Sequence, residues 1–131
     1  MNNVWHDDQP IYKQLVAKLK TAILNNNYPE ESALPSVRAI SAELQINHIT
    51  VSKAYHELLD EGLIEKRRGL GMFVKTGAIN ALLLAEKAKF LSEDLPHFIE
   101  KMQQLNIEQQ DVIDRIQQLM MSTSTKDLNN D

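Results

Sequence analysis

The amino-acid sequence predicts a mainly α-helical protein with a small two-stranded β wing: a three-helix head followed by a shorter helical tail. Three observations carry that expectation. Apolar residues recur at intervals of three and four over most of the 131 residues, the spacing of amphipathic helices. The one β-prone run, "LIEKRRGLGMFVK", is divided by two glycines into the halves of a hairpin. Charge is also uneven: residues 1–78 hold nine Lys/Arg against nine Asp/Glu and residues 79–131 five against nine, so the whole formal net charge of -4 lies in the second part.

Pro10 opens the first helix, "PIYKQLVAKLKTAILNNN", because its fixed φ suits a first helical turn, and Ile11, Leu15, Leu19 and Ile23 repeat every four residues until Asn25 to Asn27 end it. "YPEESALPS" reads as a loop with at most a short strand. Ser36 is a good N-cap for "VRAISAEL", a helix of about two turns. After the turn "QIN", Asn47 caps a third helix over residues 48–61, with Gly62 as its C′ residue. At 100° per residue, Ala54, Tyr55 and Leu58 share a face with Val51, while Ile49, Ser52, Lys53 and His56 lie opposite. Strands over residues 63–67 and 72–75 then flank a turn at 68–71.

From Ile79 the pattern becomes a heptad seam: Leu84, Ala88, Leu91, Leu95, Phe98, Met102 and Leu105. Pro96 falls inside this seam without disturbing its phase, which predicts a kink within one element. Val112, Ile116 and Leu119 mark a last helix. The expected division is a winged head at residues 1–78, a helical dimerisation domain at 79–121 and a disordered end, "STSTKDLNND", at 122–131.

Several function classes are excluded. The chain has no cysteine, so no disulfide or thiolate metal site is possible, and His6, His48, His56 and His97 contain no i,i+4 pair to hold a metal. "GLG" precedes a strand and lacks a P-loop lysine. No nucleophile constellation occurs, and Asp60 with Glu61 reads as helix-end charge. Neither catalytic residues nor a cofactor are expected. The N-terminus has no signal-peptide pattern, and no apolar run approaches the ~18 residues of a membrane span, so a cytoplasmic protein without a membrane partner is expected.

Helix, short helix, tight turn, longer helix and two-stranded ribbon, in that order, outline a winged helix-turn-helix. Asn47, His48, Thr50, Ser52 and Lys53 offer polar groups to base edges in a major groove, and Ile49 offers an apolar contact to a thymine methyl. Arg67 and Arg68 on the ribbon tip suit phosphates or a minor groove, with Gly69 and Gly71 allowing close backbone approach. A few local cations suffice even on a negatively charged molecule. The plain alternatives are an Arg38–carboxylate pair, a solvated "KRR" edge, Thr50 as a backbone cap, His48 packed on Tyr12, and a tail folded back on the head.

"PIYKQL", "LPSVRAISAEL" and "ITVSKAYHELLDEGLIEKRRGLGMFV" resemble the DNA-binding domain of GntR-family bacterial transcription regulators, over roughly residues 10–78. The tail, by length and pattern, resembles the YtrA-type subfamily. That resemblance implies that Arg38 reads a base or phosphate, that residues 47–53 enter the major groove and that "RRGLG" forms the wing. The chain departs from the pattern at Glu30 and Glu31, where Pro-Gly is usual, and at His48 and Ile49, where proline and asparagine are more common. In the tail, Asn106 replaces a glycine and Glu108 a Ser/Thr cap.

A heptad stripe on so short an appendage is most economically covered by a second copy, with Val112 and Ile116 joining the seam. The sequence therefore predicts a homodimeric regulator, a repressor, on a pseudo-palindromic double-stranded DNA operator, with a transporter operon implied by the subfamily resemblance. The competing readings are a winged-helix adaptor that binds protein instead of DNA, and a small-molecule sensor. No effector is legible.

Overall fold

The structure is a computed structural model that describes residues 1–129, the last five by backbone alone. It contains α1 (Ile11–Leu24), α2 (Val37–Leu44), α3 (His48–Asp60), β1 (Ile64–Arg67), β2 (Gly71–Val74), α4 (Ala78–Lys89), α5 (Leu95–Gln104) and α6 (Gln109–Asn129). The chain forms two compact units, Met1–Glu86 and the residues from Lys87 onward.

In the first unit, α3 packs against both α1 and α2. The four-residue period of α1 buries Leu15, Leu19 and Ile23 completely, while Ile11 at its start stays exposed. Val51, Ala54, Tyr55 and Leu58 are the buried face of α3, against Ile40 and Leu44 of α2. Full burial of each large aliphatic chain contributes about 1.5–3 kcal/mol. The Tyr55 hydroxyl donates to the carbonyl of Pro35, so α3 is fastened to the loop that starts α2. Gln14, the one buried polar side chain among the described residues, is fully used: its Oε1 accepts from the His6 N–H at 2.8 Å and its Nε2 donates to the His6 and Gln9 carbonyls, each at 2.8 Å.

The caps follow the local sequence. Ser36 Oγ accepts from Ala39 N–H at 3.1 Å and Asn47 Oδ1 from Ile49 N–H at 2.8 Å. Gly62, at φ 73°, closes α3 with paired bonds from Gly62 N–H to Leu59 and from Leu63 N–H to Leu58, the Schellman arrangement. Between α2 and α3 the turn is Gln45–Asn47, with Gln45 left-handed at φ 55° and the Ser41 hydroxyl donating to the Ile46 carbonyl.

β1 and β2 pair antiparallel from Ile64↔Val74 to Arg67↔Gly71. The far edge of β2 is covered as well: Ala33 bridges Phe73, Leu34 N–H donates to the Met72 carbonyl at 2.8 Å and Val74 N–H to Ser32 at 3.0 Å. The short strand allowed for in "YPEESALPS" is this segment. Ala78 and Leu82 of α4 belong to the head's core, so the packed head reaches beyond residue 78, where the sequence pattern had divided it.

In the second unit the helical path continues through Pro96. Phe90–Asp94 form a π-helical turn immediately before α5. Proline supplies no N–H and crowds the carbonyl four residues earlier, and a wider turn at that point relieves both effects. Asn106, at φ 56°, takes the left-handed position after α5, with Ile107 N–H bonded to the Met102 carbonyl at 3.0 Å. α6 runs to Asn129, into the stretch from residue 122 that the sequence pattern reads as a disordered end. The stretch after residue 121 contains neither Gly nor Pro to stop a helix, and Thr123 Oγ1 donates to the Leu119 carbonyl at 3.0 Å. Residues 130 and 131 of that expected end lie outside the described residues.

Candidate nucleic-acid interface

The start of α3 projects from the head with Asn47, His48, Ile49 and Lys53 exposed and Thr50 and Ser52 half-buried. Ile49 is 66% exposed, which its neighbours in the fold do nothing to explain. Asn47 spends its Oδ1 on the helix cap. Thr50 makes no capping bond among the described residues, so its hydroxyl is available. Arg38, on the first turn of α2, is exposed and forms no ion pair among the described residues. It shares an open cleft of about 520 Å³ with Val37, Ser41, Ala42 and His48. His48 lines the same cleft as Arg38, and two lysines stand over the Tyr12 ring, Lys53 with its Nζ 4.0 Å from the centroid and Lys13 with its Nζ at 5.5 Å. Tyr12 was not legible as a site residue; the signal was a half-exposed aromatic beside Lys13 at the start of a helix.

Acidic groups are kept off this surface. No carboxylate occurs between Glu43 and Glu57, and the acids at the far end of α3 are held by α1: Lys13 Nζ to Glu57 at 2.8 Å and Lys20 Nζ to Glu61 at 2.9 Å. The hydrogen bond that Lys13 donates to Glu57 raises the Lys13 pKa. The helix N-terminus adds its own partial positive charge.

The wing differs from expectation at one residue. Arg68, Gly69 and Gly71 are exposed at its tip, where Leu70 N–H closes the turn onto the Arg67 carbonyl at 2.9 Å and Gly69 takes φ 77°, a conformation glycine adopts without steric penalty. Leu70 itself is 70% exposed. Arg67, expected at the tip, points to the base of the wing. Its Nη2 pairs with Glu31 and, at 3.0 Å, with Glu65, its Nε donates to Glu65 at 3.1 Å, and its guanidinium lies 4.2 Å from the Phe73 ring centroid. The physical reason is alternation: Glu65, Arg67 and Phe73 share one face of the ribbon, and Glu31 faces them from the preceding loop.

Glu31 holds the left-handed backbone, φ 67°, at the point where Pro-Gly had been the expected pattern. Its carboxylate accepts from Thr76 Oγ1 at 2.7 Å, from Thr76 N–H at 3.3 Å and from Arg67. The hydrogen bonds donated by Thr76 and Arg67 hold the Glu31 pKa below the usual carboxylate value, and those that Arg67 donates to Glu31 and Glu65 raise its own. Glu30 accepts from Gly77 N–H. The partners of these two carboxylates lie 36 to 47 positions downstream, so sequence pattern alone marks the departure without its purpose.

The seam residues of the second unit are solvent-facing in a single copy. Leu91, Leu95, Phe98, Leu105 and Ile116 are exposed and Met102 and Val112 half-buried. Leu95, Phe98, Met102, Val112 and Ile116 line an apolar cleft of about 400 Å³ between α5 and α6. Leu84 and Ala88 on α4 are exposed too. No helix among the described residues is long and apolar enough to cross a membrane.

Comparison with known proteins agrees with this geometry. Residues 11–74 match the family model described as bacterial regulatory proteins, gntR family. The chain is 37% identical over 90 residues to the HTH-type transcriptional repressor YtrA of Bacillus subtilis, covering 69% of this chain and 68% of that protein. It is 28% identical over 117 residues to the HTH-type transcriptional regulator YhcF of the same organism, covering 88% and 94%. A solved structure of a GntR family transcriptional regulator from Listeria monocytogenes superposes with a TM-score of 0.69 at 32% identity, covering 87% of this chain and 98% of the other. A basic, acid-free helix start beside a winged ribbon and a family match over the same residues lead to one conclusion: the chain belongs to the GntR family, is of its YtrA type, and is a DNA-binding transcription regulator.

Proposed function

We propose that the protein is a homodimeric repressor that grips a pseudo-palindromic operator, with α3 in the major groove, Arg38 at its edge and the wing tip on the flanking backbone. The observation that carries this reading is the sorting of charge in the head. Lys13, Lys20 and Arg67 are neutralised by carboxylates, whereas Arg38, Lys53 and Arg68 form no ion pair with any described residue. Asn47 serves the cap, and His48, Ile49, Thr50, Ser52 and Lys53 supply base-directed groups. Gly69 and Gly71 admit the wing backbone to a groove. Arg67 acts as a brace for that wing.

Dimerisation through Leu84, Ala88, Leu91, Leu95, Phe98, Met102, Leu105, Val112 and Ile116 is supported by the apolar face these residues leave uncovered in one chain, since apolar area removed from water stabilises by about 25 cal/mol per Å². A twofold pair presents two recognition helices to successive turns of DNA. Repression is supported by the similarity to the repressor YtrA. A transporter operon as target and a cytoplasmic location complete the proposal. Selection of bound duplexes from a random-sequence pool, with sedimentation of the complex, tests it. Enrichment of an inverted repeat bound by two chains is expected; an unstructured pool, or a single chain per duplex, refutes it.

A further inference from the structure

The geometry points to Glu31 and Glu65 as residues that mask Arg67, withholding from the wing a cation that would otherwise grip phosphate of any sequence. The inference rests on the wing approaching DNA as proposed above. The stretch "KRR" carries three cations, but Arg67 is paired with Glu31 and Glu65 and lies against the ring of Phe73. The carboxylate oxygens stand where phosphate oxygens would bind, since guanidinium forks recognise both in the same way. With both acids counted, this part of the wing presents one net positive charge instead of three.

Two features show that the mask is built. Glu31 keeps a left-handed backbone, φ 67°, which glycine would adopt without strain, so its side chain is what that position provides. That side chain is itself held by the Thr76 hydroxyl and N–H at 2.7 and 3.3 Å, so it is positioned independently of Arg67. Glu65 faces the guanidinium from the same strand, at 3.0 Å. Sequence-independent affinity comes almost wholly from phosphate contacts, whereas discrimination comes from base edges. Removing one phosphate grip from each head therefore lowers binding to all DNA while leaving readout by α3 intact.

The test is a salt series of fluorescence anisotropy titrations on the full chain, with a mixed-sequence duplex three helical turns long. Arg67→Ala alone should leave the dependence of log K on log[salt] as in the wild type. The Glu31→Gln, Glu65→Gln double variant should steepen it by about 0.9 per head, so that a fourfold rise in salt removes about 3.5-fold more affinity per head. Adding Arg67→Ala to that double variant should abolish the gain. A flatter slope for Arg67→Ala alone would show Arg67 already on phosphate, and a gain that survives in the triple variant would show simple removal of negative charge; either overturns the mask. Should the carboxylate variants fail to fold by circular dichroism, Arg67→Ala decides the question by itself. A wild-type chain with no salt-dependent binding overturns both the mask and the DNA reading beneath it.

Discussion

Arg38→Ala is the sharpest probe of the interface, because the structure lets its effect on fold and on binding be worked separately. Arg38 is exposed and makes no ion pair among the described residues, so its loss should change stability by less than about 0.5 kcal/mol. Binding should respond strongly. Arg38, Lys53 and Arg68 are three cations of the proposed interface without an ion pair among the described residues, so with one phosphate each a dimer neutralises about six phosphates and log K should fall against log[salt] with a slope near −5.4. Arg38→Ala removes one contact per head, reducing the slope to about −3.6. Across a fourfold rise in salt the wild type would then lose about 10³-fold in affinity and the variant about 10²-fold. If Arg38 reads a base instead, the slope stays and each half-site loses about 1–3 kcal/mol with relaxed sequence preference. Anisotropy titrations on the selected operator at several salt concentrations distinguish the two. An unchanged affinity with unchanged slope would refute the placement of Arg38, as would a melting temperature several degrees lower.

Three other perturbations follow from the same structure. Tyr55→Phe removes the buried bond to the Pro35 carbonyl and should destabilise the head by about 1 kcal/mol, a fall of about 4–8 °C in melting temperature by calorimetry. Burial raises the Tyr55 pKa above the ordinary tyrosine value, so the stability it contributes is complete below pH about 10 and declines as pH rises further; a tyrosinate absorbance titration that shows all three tyrosines ionising together would contradict this. Ser36→Ala should cost about 1 kcal/mol through loss of the α2 cap, with the recognition surface unaltered in anisotropy titrations. Phe98→Glu puts a charge into the apolar cleft between α5 and α6, and sedimentation should show single chains whose head melts as before; a persistent dimer would refute the seam.

The helices of the head were legible from the chain alone because their causes are local. Leu15, Leu19 and Ile23 recur at the helical period, Ser36 and Asn47 carry the oxygens that cap backbone N–H groups, and Gly62 supplies the left-handed residue that ends α3. Each of these acts over four or five residues, the range that sequence pattern senses. The hairpin, the turn "QIN" and the exposed start of α3 were readable for the same reason, and with them the kind of surface the head presents. Tertiary structure decided what depends on distant partners. Whether Arg67 reaches outward or is held inward is set by Glu31, thirty-six residues earlier, and which side chain rests on Tyr12 is set by how α1 crosses α3. The same holds for the end of the head, which extends into α4 because Ala78 and Leu82 find buried neighbours there. Charge and apolar surface act through space, so their partners appear only once the chain has folded.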